Sequence, residues 1–225
     1  MKKVIPCCFT SGNLIFGFIS IVLTAQGNFF WGGVCILLAT LCDACDGRSA
    51  RYLGVSGEFG KELDSLSDCV SFGAASAFLI YSYALQDLGW IGVVPAALYA
   101  ALGGLRLARF NLNTTVVHGY FMGMPIPNGG CLFATFVMSG VHISPVLAAI
   151  IVLLVGYDLV SEIHHPDFKG QSADVLHVPA LVVALVLGAA ALYFVDWRLV
   201  ICMPFALYIV FGLVNTAMNA VSPAR

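Results

Sequence analysis

The chain has 225 residues, of which 60% are hydrophobic and only 10% are charged, with a formal net charge of -2. Soluble domains are about 45–50% apolar and about 25% charged, so this composition excludes a soluble globular enzyme and a disordered or nucleic-acid-binding chain. The net charge adds little, because charge in a membrane protein acts through its location. The composition therefore predicts a polytopic membrane protein.

Apolar runs between polar or Gly/Pro breaks predict a single all-α domain over residues 1–225, a bundle of about eight transmembrane helices. In chain order, the predicted segments are 9–25, 29–46, 64–86, 89–109, 125–141, 143–161, 177–194 and 198–219. The fifth and sixth segments are also short enough for a helical hairpin that does not cross the bilayer.

The basic residues predict how the chain is oriented in the membrane. With the N-terminus inside, Arg198 is the one basic residue of ten that falls on the outer face. Cytoplasmic loops of membrane proteins carry such an excess of Lys and Arg. We therefore expect an integral cell membrane protein with both termini on the cytoplasmic side.

Half of the twelve acidic residues lie within residues 43–68. Ionisable groups at membrane depth are costly and by default mark a functional site. Asp43 and Asp46 are three residues apart, and Asp64 and Asp68 are four apart, so each pair shares one helix face. If the two helices pack antiparallel, four carboxylates converge in this helix–loop–helix at the cytoplasmic boundary.

Four carboxylates repel one another unless cations neutralise them. Oxygen-only ligands favour a hard divalent cation such as Mg²⁺ or Mn²⁺, and Ca²⁺ also fits such a site. A pair of such ions suits a displacement at phosphorus, and Asp68 is the candidate general base for an alcohol nucleophile. The alternative is a solvated loop in which these carboxylates pair with Arg48, Arg51 and Lys61.

The residues between the carboxylates complete a longer pattern. The segment reads Asp43-x-x-Asp46-Gly47-x-x-Ala50-Arg51-x8-Gly60-x3-Asp64-x3-Asp68. At every defined position it resembles the signature of the CDP-alcohol phosphatidyltransferase family. The resemblance implies a membrane bundle with six core helices, here with two more, and a homodimer. It also implies that the four Asp bind the metals that hold the CDP pyrophosphate, and that an alcohol displaces CMP.

Other stretches are similar to the phosphatidylserine synthase branch of that family. They are Phe9–Gly17, Leu63–Gly73, Arg106–Asn111, Gly123–Pro127 and the loop Ser161–Gly170. The resemblance implies transfer of a phosphatidyl group from CDP-diacylglycerol, or an ether-lipid equivalent, to L-serine. The same chemistry with glycerol 3-phosphate or inositol phosphate is the first alternative, and those anions call for a denser basic patch than this chain offers.

A cation-binding transporter is the non-enzymatic alternative. Transporters carry ionisable residues near the membrane midplane in several helices, whereas here they cluster at one face. This arrangement disfavours transport.

The nucleotide-binding candidates combine motif residues with polar residues of the first helix. The resemblance implies that Gly47, Ala50 and Gly60 make room for the cytidine nucleotide. Thr10 and Asn13 could hydrogen-bond the base or a metal-bound carboxylate, or equally pack against a neighbouring helix. The full set of candidates is Thr10, Asn13, Gly47, Ala50, Arg51 and Gly60.

The acceptor-site candidates are Arg109, Arg106, Ser71 and Lys169. Arginine binds a carboxylate or phosphate with two parallel hydrogen bonds, so Arg109 first, and then Arg106, is expected to hold the serine carboxylate or the lipid-linked phosphate. The alternative is that both anchor a helix end to anionic headgroups. Ser71 shares the helix face of Asp64 and Asp68.

Lys169 follows the pair His164–His165 in one inner loop. These residues could contact a lipid headgroup, although the simpler interpretation of the loop is a solvated, interfacial segment. Asp158, late in the sixth predicted segment, is expected to reach the interface, and it could also form part of the acceptor site.

Overall fold

The computed structural model describes residues 4–55, 57–112, 120–166 and 183–221, the last range with gaps at 184, 187, 191 and 194–195. The all-α architecture predicted from the sequence is confirmed. The α-helices whose two ends lie within the described residues are α1 (Val4–Ala25), α2 (Phe29–Leu53), α3 (Glu58–Leu88), α4 (Trp90–Leu112), α5 (Ile126–Met138), α6 (Pro145–Val160) and α7 (Met203–Val221).

Among the described residues, α1 to α4 are long and apolar enough to cross a membrane. The apolar helices α5 and α6 have 13 and 16 residues. At 1.5 Å per residue they measure about 20 and 24 Å, less than the roughly 30 Å of bilayer hydrocarbon. Within the predicted segment 177–194, residues 183–193 are helical wherever they are described, and the other residues lie outside the described part of the chain.

The helices that carry the acidic motif extend beyond their predicted ends. Helix α2 was predicted to end at residue 46 and continues to Leu53, where Gly54 caps it with φ of 63°. Helix α3 was predicted to begin at residue 64 and begins at Glu58. Hydropathy detects only the apolar part of each helix, so the predicted boundaries at residues 46 and 64 were wrong and the connection is residues 54–57.

Helix α3 changes its winding directly after Asp68. Residues Cys69–Ala75 form a π-helical turn, in which backbone carbonyls lose their usual partners. The carbonyl of Phe72, within this turn, accepts hydrogen bonds from the side chains of Ser76 and Tyr99, the latter at 3.1 Å. These bonds fix the helix immediately beyond the acidic motif.

Close packing brings α1 against α2 and α3, the two helices that carry the acidic motif. The hydroxyl of Ser20 donates a 2.8 Å hydrogen bond to the Gly32 carbonyl on α2. A Cβ atom at Gly17 would lie 2.8 Å from the Cα atom of Ser71, so only glycine permits this approach of α1 to α3. The polar face of α1 therefore lies directly beside the carboxylates.

A short antiparallel ribbon joins the segments after α4 and after α6. Its strands are β1 (Tyr120–Met122) and β2 (His164–Pro166). The sequence did not predict it, because strands of three residues leave no periodic pattern. Gly123 follows β1 with φ of 72°, and a Cβ atom there would crowd the Ser161 carbonyl at 3.1 Å.

Candidate active site

Three of the four predicted carboxylates converge. Carboxylate oxygens of Asp43 on α2 and of Asp64 and Asp68 on α3 all lie within 4.8 Å of one another. The Oδ1 atom of Asp64 is buried and has no hydrogen-bond partner among the described residues. Three close carboxylates with an unpartnered buried oxygen form an all-oxygen donor set that fits a hard divalent cation.

Asp46 lies beside this cluster and has a different partner. Its Oδ2 atom accepts a 2.7 Å hydrogen bond from the Thr10 hydroxyl on α1, and its side chain is buried. Both residues line the cavity described below. The expectation that four carboxylates converge therefore holds for three of them, while Asp46 faces the neighbouring space.

Asn13 and Ser71 support Asp68 from behind. The Asn13 amide donates a 2.9 Å hydrogen bond to Asp68 Oδ1, and the Ser71 hydroxyl donates one of 2.9 Å to the Asn13 carbonyl. Both supporting residues are fully buried. Of the two roles predicted for Asn13, the structure places it on a carboxylate of the cluster, and it places Ser71 against α1 and not facing the cavity.

A cavity of about 340 Å³ adjoins the cluster where the ends of α1, α2 and α3 meet. Ligand pockets have volumes of about 300–1,000 Å³, so the cavity is large enough for a nucleotide moiety. It is lined by Pro6, Cys7, Thr10, Asp46, Gly47, Ala50, Arg51, Val55, Gly57, Phe59, Gly60, Lys61 and Asp64. Five of the six predicted nucleotide-binding residues are in this set, and Asn13 is the exception.

The motif glycines face open space in this cavity. A Cβ atom at Gly60 would have no described atom of another residue within 4 Å, apart from its chain neighbours and its own helix backbone. A Cβ atom at Gly47 would come no closer than 3.6 Å to the Arg51 guanidinium. Neither glycine has a positive φ. Packing within the protein therefore does not require them, and their bare backbone admits a ligand to close range.

Two cations line the cavity beside its acidic groups. Arg51 was predicted from the motif, whereas Lys61 was interpreted only as a possible ion-pair partner. The Lys61 ammonium donates a 3.3 Å hydrogen bond to the Asn111 carbonyl at the end of α4. Its position next to Gly60 was the sequence signal that could have identified it.

The two arginines of α4 have different surroundings. Arg106 is 8% exposed, its guanidinium lies 5.2 Å from the centroid of the Phe110 ring, and its charge interacts with Asp68. It donates no hydrogen bond to another residue that the structure describes. Arg109 donates to the carbonyls of Val160 at 2.9 Å and Ser161 at 3.3 Å, and so binds the end of α6.

The loop after α6 differs from the prediction of a solvated segment. His165 is fully buried, Asp158 is 3% exposed, and His165 Nε2 lies 3.0 Å from Asp158 Oδ1. Tertiary packing on α7 encloses them, which local sequence does not reveal. Lys169, the remaining acceptor-site candidate, lies outside the described residues.

Residues 3–157 match the family model of the CDP-alcohol phosphatidyltransferases. This match covers α1 to α5, most of α6 and all four motif aspartates. The chain belongs to the CDP-alcohol phosphatidyltransferase family. The acidic cluster and the residues that line the adjoining cavity all lie within the matched residues.

Curated members of the same family are similar over most of the chain. The CDP-diacylglycerol–serine O-phosphatidyltransferase of Bacillus subtilis (strain 168) is 38% identical over 171 residues, which are 76% of this chain and 94% of the relative. The enzyme of that name from Helicobacter pylori (strain ATCC 700392 / 26695) is 30% identical over 217 residues, 93% and 90% of the two chains. The archaetidylserine synthase of Methanothermobacter thermautotrophicus is 37% identical over 172 residues, 75% and 72% of the two chains.

Proposed function

We propose that this CDP-alcohol phosphatidyltransferase transfers the phosphatidyl group of CDP-diacylglycerol to the hydroxyl of L-serine, giving phosphatidylserine and CMP. The observation that carries the proposal is the cluster of Asp43, Asp64 and Asp68 beside a cavity lined by the small residues of the family motif. The names of the relatives support serine as the acceptor. The archaetidylserine synthase relative makes an ether-lipid donor the second candidate.

The nucleotide of the donor occupies the cavity. Thr10, Gly47, Ala50, Arg51 and Gly60 line it and hold the cytidine diphosphate portion, where the Arg51 charge complements a phosphate. Asp43, Asp64 and Asp68, with Asp46 at the cavity wall, are the residues that would hold Mg²⁺ or Mn²⁺, and Ca²⁺ could occupy the site. When bound, such cations supply positive charge for the pyrophosphate and for the departing CMP.

Asp68 is the base for the acceptor hydroxyl. Asn13 engages its Oδ1 atom, which leaves Oδ2 to accept the proton. The serine oxygen then forms a bond to the phosphorus that carries diacylglycerol, and the bond from that phosphorus to the CMP oxygen breaks. CMP leaves with the electron pair of that bond.

Arg106 binds the serine carboxylate. A buried guanidinium is costly without a partner, and this one interacts with Asp68 while donating no hydrogen bond to another described residue. A planar guanidinium matches a carboxylate with two parallel hydrogen bonds. Arg109, which was expected to be first in this role, holds the end of α6, and Lys169 stays a predicted headgroup contact.

We further propose an orientation of the protein in the membrane and a homodimeric assembly. The distribution of basic residues supports an active site and termini on the cytoplasmic side of the cell membrane, and the family resemblance supports a homodimer. Labelling of a single exposed cysteine, either the native Cys8 or one introduced by Trp197→Cys, from either side of sealed vesicles tests the orientation. Light scattering of the purified protein tests the dimer.

The test of the reaction is simultaneous measurement of CMP and phosphatidylserine. Purified protein with CDP-diacylglycerol, serine and Mn²⁺ should form the two products in equal amounts. Asp68→Asn should abolish both while CDP-diacylglycerol still binds. CMP release without phosphatidylserine would contradict the transfer.

A further inference from the structure

A second group of buried ionisable side chains lies outside the cavity, where α6 ends and β2 begins. His165 Nε2 lies 3.0 Å from Asp158 Oδ1, and the two side chains are 0% and 4% exposed. The Ser161 hydroxyl donates a further 3.1 Å hydrogen bond to the same oxygen. Burying such a pair has a large desolvation cost, and replacement by apolar residues is often neutral for stability. The proposed reaction uses neither residue, so a role other than stability has to be sought.

The imidazole of His165 is fixed by α7 as well as by Asp158. It stacks on the Tyr208 ring with centroids 5.2 Å apart and an angle of 21° between the planes. One turn later, Gly212 leaves the space that the imidazole occupies, because a Cβ atom there would collide with it. The orientation of the His165 ring is therefore fixed by α6 and α7 together.

Hydrogen bonds link this group to α4, the helix that carries Arg106. The Ser161 hydroxyl donates to Asp158 Oδ1, and the Ser161 carbonyl accepts a 3.3 Å hydrogen bond from Arg109 on α4. Arg109 also donates to the Val160 carbonyl at 2.9 Å. The end of α6 is thus tied to α4 at Arg109, three residues after Arg106.

We propose that Asp158 and His165 are positioning residues for the acceptor: they hold α7 and the end of α6 against α4, so that Arg106 on α4 binds the carboxylate of a small amino-acid acceptor. This inference rests on the proposed function. A displacement of about 1 Å in a group that orients a substrate can reduce the rate about a hundredfold. The pair therefore acts on acceptor binding and leaves the nucleotide and the metal unaffected.

The variant His165→Gln keeps the hydrogen bond to Asp158 and removes the imidazole ring. The glutamine amide nitrogen reaches the place of Nε2 and still donates to Asp158, so no unpaired buried charge is left, but the ring that stacks on Tyr208 is lost. His142→Gln is the matched control, because His142 stacks on Tyr83 with centroids 4.8 Å apart and an angle of 18°, and it is exposed. The KM for serine, the KM for CDP-diacylglycerol and the Mn²⁺ requirement are measured for both variants.

The expected result is a serine KM raised about tenfold or more in His165→Gln, with the other two quantities within about twofold of the original protein. His142→Gln should change none of them. As a second variant, Gly212→Ala places a methyl group where the same imidazole lies and should also raise the serine KM. Gly104→Ala is its control, since a Cβ atom there would lie 3.7 Å from Cys69 Sγ, an ordinary contact.

An unchanged serine KM in folded His165→Gln protein would overturn the inference. It would also be overturned if all three quantities and the thermal stability deteriorated together, since that result indicates a structural role. Failure of the proposed function has a different signature: the unmodified protein would use another acceptor and not serine. The KM of His165→Gln for that acceptor would then decide whether the pair positions it.

Discussion

Asn13 and Asp68 lie on different helices, and the amide of Asn13 donates a 2.9 Å hydrogen bond to one carboxylate oxygen of Asp68. Both side chains are buried, and the Ser71 hydroxyl holds the backbone of Asn13 in place. This bond determines which oxygen of Asp68 remains available to a substrate or a metal. A polar residue of α1 thus controls the orientation of the carboxylate to which we assign the proton transfer.

Asn13→Ala should lower kcat about 10–100-fold, the usual effect of removing a partner that orients a functional carboxylate. Serine KM and CDP-diacylglycerol KM should change less. Ser20→Ala is the matched control, because it removes a buried hydrogen bond from the same helix, to the Gly32 carbonyl, away from the carboxylates. Equal loss of kcat in both variants would show that Asn13 acts only through the packing of α1.

Gly60→Ala should separate stability from donor binding. The added methyl group meets no described atom within 4 Å and removes a glycine from a helix, so thermal stability should stay equal or rise by up to about 1 kcal/mol. The same methyl group enters the cavity, so the KM for CDP-diacylglycerol should rise about tenfold. Gly92→Ala gives the opposite pattern, because its methyl group would lie 3.1 Å from the Leu85 carbonyl carbon and should reduce stability.

Asp43→Asn should have opposite effects on stability with and without metal. Without divalent cations it removes one of three mutually repelling charges, so the melting temperature should rise. In the original protein, a cation at a hundred times its Kd stabilises the fold by about 2.7 kcal/mol, and this gain should disappear in the variant. Asp87→Asn, at the exposed far end of α3, should leave both measurements unchanged. A Mn²⁺-induced shift that persists in Asp43→Asn would place the metal elsewhere.

The two arginines of α4 should give different kinetic results. Arg109→Ala removes charged hydrogen bonds to the end of α6 and should reduce stability by about 1.5–3 kcal/mol. Arg106→Ala should chiefly raise the serine KM, since no described residue receives a hydrogen bond from it. The comparison consists of serine KM and melting temperature for both variants. A selective rise of serine KM in Arg109→Ala would return the carboxylate site to Arg109.

The sequence predicted the membrane class, the helices that carry the acidic motif and most of the residues around the cavity. Those features depend on composition and on residue spacing within one helix, which are local properties. The true ends of α2 and α3 were missed because a glycine cap at Gly54 and a charged helix turn add no apolar residues. Spacing alone could not separate Asp46 from the other three carboxylates, because its partner Thr10 comes from a distant part of the chain.

The burial of His165 could not be predicted from the sequence for the same reason. Its partners are on α6 and α7, and the ribbon that carries it pairs residues more than forty positions apart. The isolated segment of polar residues predicts a solvated loop. The space for the imidazole is created by Gly212, whose role is visible only in three dimensions.

The most direct test of the proposed function is the initial rate of CMP release from CDP-diacylglycerol with Mn²⁺, measured with serine, glycerol 3-phosphate, inositol phosphate and no acceptor side by side. We predict release that depends on serine alone and stops when a chelator removes the cation. Release with glycerol 3-phosphate or inositol phosphate and none with serine would contradict the assignment of the acceptor. It would leave the acidic cluster and the nucleotide cavity in their proposed roles.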